Sequence, residues 1–211
     1  MIKILIADDH SLVREGIKHM LNAQAGMQVI AEAKDGHEAY SLALKMEPDV
    51  AVLDINMPGI NGIDLLKQLK TSLPKLPILI LSMHPEDQYG YRAIMSGASG
   101  YLSKESAPEL LITAIKRIAS GGKYISAEIA ERLVFEVQHD YEKKPHERLS
   151  DREYQVFIMI AEGKSVSIVG EELHLSVKTI STNRARILEK MQLKNNAELM
   201  HYAHQHNLVE M

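Results

Sequence analysis

Acidic, hydroxyl-bearing and basic side chains follow short apolar runs in the first half of the chain. Each type has a use in phosphoryl chemistry, because a carboxylate can attack phosphorus while a hydroxyl and an ammonium hold the product oxygens. The residues concerned are Asp8 and Asp9 after "KILIA", Asp54 after "VAVL", Ser82 at the end of "ILILS" and Lys104 after "GYLS". Their joint action requires a fold that brings these positions to one place.

The first 120 residues alternate strand-like and helix-like patterns. Short β-branched runs predict strands, and amphipathic stretches predict the helices that follow them. The predicted strands are 3–7, 28–33, 50–53, 78–82 and 100–103, and the predicted helices lie near 11–24, 36–46, 62–72, 86–96 and 106–119. This alternation predicts an α/β fold, a doubly wound five-stranded parallel sheet with helices on both faces.

The handedness of the crossovers decides where the polar residues meet. Right-handed connections make all the strands run the same way, so their carboxyl ends share one edge, where ligands bind in such sheets. Three carboxylates in one cleft repel one another, which raises a pKa or recruits a cation. All-oxygen ligation suits Mg²⁺. We therefore interpret Asp54 as a phosphoryl acceptor beside a Mg²⁺ site, with "MPGING" (57–62) as the turn behind it.

Composition excludes several classes of protein. The 211 residues include no cysteine, so neither a disulfide framework nor a thiolate metal site is available. The apolar runs are strand-sized, too short to cross a bilayer, and acid at Asp8 interrupts any signal peptide, which predicts a cytoplasmic protein without membrane attachment. The net charge of −4 argues against bulk affinity for nucleic acid but leaves a local basic patch open.

The last third of the chain reads as helical throughout. A polar segment, "QHDYEKKPHER" (138–148), predicts a linker, preceded by a helix near 127–137. The predicted domains are therefore 1–122 and 149–211, with 123–148 between them. In the second, Ser150 and Glu153 form a capping-box pattern, and short helices near 166–173 and 177–191 surround a tight turn. This is a helix-turn-helix signature.

Charge is concentrated on the second of these helices. Residues 149–211 carry seven Lys or Arg and eight Asp or Glu, a net −1, whereas 176–194 carry five against one, a net +4. Such a stripe suits binding in a DNA groove. Charge alone leaves a solvated helix face as an equal alternative.

Residues 1–120 resemble the receiver domain of two-component response regulators, a flavodoxin-like fold. The resemblance is carried by Asp8-Asp9, by the segment Asp54 to Gly62 with Met57-Pro58-Gly59, and by Ser82, Tyr101 and Lys104. It implies that Asp54 is phosphorylated. It also implies that Asp9 and Asp54 bind Mg²⁺, Asp8 assists through water, and Asn56 contributes its backbone carbonyl. It also implies that Ser82 and Lys104 contact the phosphoryl group, that Tyr101 turns inward as Ser82 moves, and that Asn56 and His84 tune the lifetime of the phosphate.

Residues 149–211 resemble the LuxR/NarL-type output domain, through "LSDRE", "IAEGKS", the stretch ending "KTISTNRARILEKMQL" and "NNAELMHYAHQHNL". The resemblance implies that the helix at 176–191 enters the major groove and that a helix at about 196–206 pairs two output domains. The DNA-facing residues carried over are Lys178, Thr179, Thr182, Asn183 and Arg186, with Arg184 less clearly placed.

The leading hypothesis is a transcription regulator, not an enzyme. A sensor histidine kinase would phosphorylate Asp54, and a homodimer would then bind a two-fold DNA site, with RNA polymerase as a further candidate partner. A Mg²⁺-dependent phosphatase would need a general acid where this chain has Asn56. A flavin carrier would need a phosphate cradle, which "DDHSLV" does not offer. DNA binding without phosphorylation also remains open.

Overall fold

Five parallel strands form the central sheet of the chain, which we describe from a computed structural model covering residues 1–84, 86–138 and 144–209. The strands lie side by side in the order β2-β1-β3-β4-β5. Their bounds are β1 (Ile2–Ala7), β2 (Met27–Ala33), β3 (Val50–Leu53), β4 (Ile78–Ser82) and β5 (Gly100–Ser103). The predicted doubly wound parallel sheet is confirmed.

A helix follows each strand. These helices are α1 (Ser11–Asn22), α2 (Gly36–Met46), α3 (Gly62–Ser72), α4 (Glu86–Met95) and α5 (Pro108–Ala119). On one face of the sheet, α1 and α5 pack on the strands through side chains such as Leu21, Leu111 and Ile115, all buried. All four residues of β3 are buried, because helices cover both faces of a parallel sheet. The run "VAVL" is therefore apolar without alternation.

Strand register sets the position of the residues that follow each strand. Ala7 pairs with Leu53, and Leu53 pairs with Ile80. The chain thus leaves β1 and β3 at the same level, which places Asp8 and Asp54 side by side. Ser82 and Ser103 pair at the ends of β4 and β5, one residue before Lys104.

The segment after α5 packs on the edge of the sheet and on α4. Tyr124 forms a parallel bridge with Gly100, and its carbonyl accepts a hydrogen bond of 3.2 Å from the Tyr101 N–H. Helix α6 (Ala127–Gln138) then follows, where the sequence predicts a helix near 127–137. The Arg132 guanidinium lies 3.9 Å from the centre of the Tyr91 ring on α4.

The chain divides into two compact units, residues 1–135 and 136–211. The domain bounds predicted from sequence, 1–122 and 149–211, stay a prediction, and residues 139–143 of the predicted linker lie outside the described residues.

Within the described part of the chain, the structure has no helix that is both long enough and apolar enough to span a membrane.

The second unit is helical. It begins with a short 3-10 helix, Pro145–Arg148, and continues with α7 (Asp151–Ala161), α8 (Val166–Glu172), α9 (Val177–Met191) and α10 (Asn196–Gln205). A side chain caps the start of each of the four α-helices: Ser150, Ser165, Ser176 and Asn195. Such caps satisfy amide groups that have no partner inside the helix. Phe157, Ile180, Ile187 and Leu199 are fully buried between these helices.

Candidate functional site

Three side chains from three strand ends meet at the carboxyl edge of the sheet. The Lys104 Nζ lies 2.6 Å from Asp8 Oδ2 and 2.7 Å from Asp54 Oδ2. The exposed fraction of the side chain is 6% for Lys104, 2% for Asp8 and 3% for Asp54. Lys104 follows Asp54 by 50 positions and Asp8 by 96 positions in the sequence. The three residues nevertheless meet, because the carboxyl ends of parallel strands share one edge of the sheet.

Asp9 extends the cluster toward solvent. Asp8, Asp9, His10 and Asp54 each offer a ligand atom, and these atoms lie within 4.8 Å of one another. The Asp9 Oδ1 atom is buried and accepts no hydrogen bond from the described residues, although His10 Nδ1 lies 2.8 Å away. Three carboxylates this close together offer the oxygen ligands that Mg²⁺ prefers, so these residues fit Mg²⁺.

The loop between β3 and α3 holds Asp54 at the mouth of the cleft. Its turn needs Gly59, whose φ of +77° is in the left-handed region. It also needs Gly62, where a Cβ would lie 2.1 Å from the Asp54 carbonyl oxygen. The Asn61 side chain caps α3, and the Asn56 N–H donates to Asp54 Oδ1 at 3.3 Å.

Ser82 and Tyr101 lie behind the carboxylates and are both buried. The Ser82 hydroxyl accepts a hydrogen bond from the His84 N–H at 3.1 Å, and its carbonyl accepts one from the Lys104 N–H at 2.7 Å. The Tyr101 hydroxyl donates to the His84 carbonyl at 2.8 Å. The His84 ring is 3.1 Å from the Asn56 amide. Tyr101 therefore has an inward rotamer.

Burial and charge set the protonation of the cluster. Burial raises the pKa of the Asp54 carboxyl to about 6; the Lys104 ammonium opposes this rise, and the Asp8 carboxylate adds to it. Burial by itself would lower the pKa of Lys104, but the Asp54 and Asp8 carboxylates outweigh that effect, so its pKa is raised. Above pH 6, Asp54 is therefore an ionised carboxylate facing a cation, a suitable nucleophile.

The second unit presents polar residues along α9. Of the residues predicted to face DNA, Lys178, Thr179, Thr182 and Arg186 are exposed and Asn183 is half-buried. Within the described ranges, neither Lys178 nor Arg186 has a carboxylate partner. The opposite face of α9 is buried through Ile180, Ile187 and Met191.

The other two cations of α9 are tied to neighbouring helices. The Arg184 Nε donates to Asn196 Oδ1 on α10 at 2.6 Å, and Lys190 pairs with the Glu153 carboxylate of α7 at 2.6 Å. Both contacts hold α9 in place within its unit. Arg184 and Lys190 therefore have structural contacts, whereas Lys178 and Arg186 are available for a partner molecule. Counting charges along the sequence could not distinguish these two pairs.

Sequence reasoning missed two residues near the carboxylates. His10 belongs to the cluster of ligand atoms, and Arg14 donates to the Asp8 carbonyl at 2.6 Å. The signal for His10 was its position directly after Asp8-Asp9. No sequence signal identified Arg14, whose contact depends on the rotamer of a long side chain.

Comparisons with known proteins match both halves of the chain. The family described as "response regulator receiver domain" matches residues 4–116, and "bacterial regulatory proteins, luxR family" matches residues 147–203. The response regulator GacA of Pseudomonas aeruginosa is 37% identical over 214 residues, covering 100% of this chain and 99% of that protein. The response regulator UvrY of Escherichia coli K12 is 35% identical over 209 residues, covering 99% and 96%.

A solved structure resembles the whole chain. RcsB from Salmonella enterica serovar Typhimurium, bound to promoter rprA in the presence of the phosphomimetic BeF3⁻, has a TM-score of 0.64 and 27% identity. The match covers 95% of this chain and 97% of that one.

Proposed function

The chain belongs to the response regulators with a LuxR-type output domain, and from this premise we propose that its signal is a phosphoryl group carried on Asp54. It is a DNA-binding regulator of transcription in a two-component system. We propose a sensor histidine kinase as the phosphoryl donor and the cytoplasm as the location, because the receiver domain implies a kinase and the output domain acts on the chromosome.

The observation that carries the proposal is the contact of one lysine with two buried carboxylates. Lys104 lies 2.7 Å from Asp54 and 2.6 Å from Asp8, so a cation already stands where negative charge would accumulate during transfer. Preorganised charge of this kind is the main source of catalysis in phosphoryl transfer. The Ser82 hydroxyl, at the adjacent strand end, is proposed to hold a further phosphoryl oxygen.

The proposed reaction is a transfer between two side chains. An Asp54 carboxylate oxygen attacks the phosphorus of the kinase phosphohistidine, an O–P bond forms, and the P–N bond breaks with its electron pair returning to the imidazole. Asp8, Asp9, Asp54 and the backbone carbonyl of Asn56 are proposed to hold Mg²⁺, which when bound would supply positive charge to the phosphoryl oxygens. Lys104 then pairs with the product, whose phosphoryl group carries a charge of about −1.5 to −2 according to the ordinary pKa of phosphate, in place of the single negative charge of the Asp54 carboxylate.

The output is proposed to run through Tyr101. Its hydroxyl donates to the His84 carbonyl and its N–H donates to the Tyr124 carbonyl. A shift of Ser82 toward the phosphate would therefore change the contacts of Tyr101 both with the loop after β4 and with the segment after α5. Two-state packing of such groups converts a local charge into a change of surface.

On DNA, we propose that α9 lies in the major groove and that α10 pairs two output units on a two-fold site. The residues proposed to face the groove are Lys178, Thr179, Thr182, Asn183 and Arg186. RNA polymerase contact is a further proposal.

We propose no catalytic turnover of free substrates. A phosphatase with an aspartate nucleophile would need a general acid beside it, and the residue two positions after Asp54 is an amide, Asn56. The phosphoryl group is thus expected to stay on Asp54 long enough to act as a signal.

The test compares wild type with Asp54→Asn in a phosphotransfer assay and in footprinting on genomic fragments. With Mg²⁺ and a small acyl-phosphate donor, wild type is expected to gain one acid-stable, base-labile phosphoryl group, and Asp54→Asn none. Phosphorylated wild type should protect two half-sites about one helical turn apart. Equal labelling of the variant would refute Asp54 as the acceptor. Arg186→Ala should be labelled normally but bind DNA weakly, which separates the two steps.

A further inference from the structure

Arg14 connects the first helix to the loop that carries the metal-site carboxylates. It lies in the first turn of α1, and its Nη1 reaches back six residues to donate a hydrogen bond of 2.6 Å to the Asp8 carbonyl oxygen. The side chain is 17% exposed, so its guanidinium is largely withdrawn from water. A charged donor in such a place forms a strong hydrogen bond.

The neighbouring strand holds Arg14 in this position. The Arg14 Nε lies 3.6 Å from Glu32 Oε2 on β2, and Lys18, one turn further along α1, pairs with Glu32 Oε1 at 2.5 Å. Glu32 is 26% exposed. One carboxylate on β2 therefore faces two cations on α1, of which only Arg14 touches the loop.

The contact matters because of what the loop carries. The Asp8 carbonyl is part of the rigid, planar peptide that leads to Asp9, so holding that oxygen restrains the position of the Asp9 Cα, from which the Asp9 side chain leaves the backbone. Asp8 is also restrained through its own carboxylate, by Lys104 at 2.6 Å and by the His10 N–H at 2.9 Å. The contact of 2.8 Å between Asp9 Oδ1 and His10 Nδ1 comes from a side chain that is 62% exposed, so the backbone is an important restraint on the position of the Asp9 carboxylate.

We propose that Arg14 is a positioning residue for the divalent cation, acting through the Asp8 carbonyl on the Asp9 carboxylate. The inference deepens the proposed function, because it assumes that Asp9 is a ligand. Groups that orient ligands without touching the metal change metal affinity by about 10- to 100-fold when they are removed. Arg14 is such a group, supplied by a helix instead of by the loop itself.

The test measures cation binding directly, with Mn²⁺ followed by electron paramagnetic resonance and Mg²⁺ as the competitor. Arg14→Met keeps the apolar stem and removes the hydrogen-bond donor. It is expected to lower the affinity of the protein for both ions by about tenfold. Lys18→Met is the matched control, because it removes the other cation facing Glu32 without touching the loop. It is expected to stay within about twofold of wild type.

The outcomes separate this inference from the proposed function. Asp9→Asn should abolish binding; if it binds as wild type does, or if wild type binds neither ion, the proposed metal site itself is wrong. If wild type binds and Asp9→Asn does not, equal constants for Arg14→Met and wild type overturn the role of Arg14. An equal loss in Lys18→Met overturns it too, since general surface charge would then explain the effect.

A second variant covers the case in which Arg14→Met does not fold, which circular dichroism would reveal. Arg14→Lys keeps the charge but replaces the planar guanidinium with a single ammonium that cannot face Asp8 and Glu32 with separate nitrogens. It is expected to bind the cations several-fold more weakly than wild type. Affinity equal to that of wild type would overturn the proposal.

Discussion

At the scale of single residues, the receiver site depends on an unequal charge balance among Asp8, Asp54 and Lys104. One ammonium serves two carboxylates that are almost completely buried. Burying a charge without full compensation is costly, so the carboxyl with the poorer compensation takes up a proton more readily. The raised pKa of Asp54, about 6, expresses that cost.

This cost predicts a pH dependence of stability. The unfolded pKa of an aspartate is about 4, and the folded pKa of Asp54 is about 6, so this group stabilises the fold at low pH and loses that contribution as pH rises from 4 to above 6. Asp54→Asn lacks the titration. Its free energy of unfolding, relative to wild type, should therefore rise by about 2–3 kcal/mol between pH 4 and pH 7.

Chemical denaturation at several pH values, without Mg²⁺, measures this difference. Glu105→Gln is the control, because it neutralises an exposed carboxylate next to Lys104. Its free energy of unfolding should depend on pH in the same way as that of wild type. A flat difference between Asp54→Asn and wild type would show that the carboxyl is not desolvated.

Two glycines give a second prediction at this scale. Gly62→Ala would place a Cβ 2.1 Å from the Asp54 carbonyl oxygen, so the loop must shift, and we expect a loss of about 1–3 kcal/mol together with slower phosphorylation. Gly16→Ala on α1 meets nothing within 4 Å and should stabilise the helix by up to about 1 kcal/mol. Thermal unfolding of both variants checks the pair, and a neutral Gly62→Ala would contradict the described packing.

At the scale of secondary-structure elements, sequence reasoning succeeded where periodicity and topology decide the outcome. The parallel arrangement alone brought Asp54 and Lys104 together, because strand ends meet whatever the loops do. Contacts between long side chains were not predictable: Arg14 with the Asp8 carbonyl and Arg184 with Asn196 depend on rotamers and on the angle between helices. Helix ends also shifted, since α5 begins at Pro108, a residue suited to the first turn, and not near 106.

The contact between α7 and α9 gives a prediction at this scale. Glu153 accepts from the Ser150 N–H and pairs with Lys190 at 2.6 Å. Burial would raise the pKa of Glu153, but the Lys190 and Ser150 hydrogen bonds outweigh it, and the pKa is lowered. A lowered folded pKa stabilises the fold above the unfolded value, about 4.3, and this contribution disappears as pH falls through the folded value.

Glu153→Gln should therefore be less stable than wild type by about 1 kcal/mol at pH 7, and this difference should shrink as pH falls below the unfolded pKa. Thermal unfolding followed by circular dichroism at pH 7 and pH 3 measures this. Glu189→Gln, on the exposed side of α9, is the matched control and should match wild type throughout. A difference of the same size at pH 7 and pH 3 would mean that packing, not the ion pair, accounts for the loss.

At the scale of the whole molecule, a net charge of −4 contrasts with a net +4 over residues 176–194. Affinity for DNA must then come from a few cations instead of a general field, because the remaining surface repels phosphate. Lys178 and Arg186 are the α9 cations without a carboxylate partner among the described residues, whereas Arg184 and Lys190 have structural contacts.

This division predicts the salt dependence of DNA binding. Each phosphate contact contributes about 0.9 to the slope of log affinity against log salt, so Lys178→Ala and Arg186→Ala should each lower the slope by about 1 if their contact is to phosphate. Lys164→Ala, which removes a cation paired with Glu172 at 2.7 Å, should leave it unchanged. Fluorescence anisotropy over a salt series gives the slopes, and an effect of Lys164→Ala equal to that of Arg186→Ala would contradict the division.

The bridge between Gly100 and Tyr124 bears on how this protein can be cut into fragments. An outer strand with unpaired backbone groups is a template for adding strands from other copies, and natural proteins cover such edges. A receiver fragment that stops at Ser120 would remove Tyr124, whose carbonyl accepts the hydrogen bond from the Tyr101 N–H, and would uncover the edge of β5. We expect that fragment to self-associate in light scattering, and one extended beyond Arg132 to stay monodisperse.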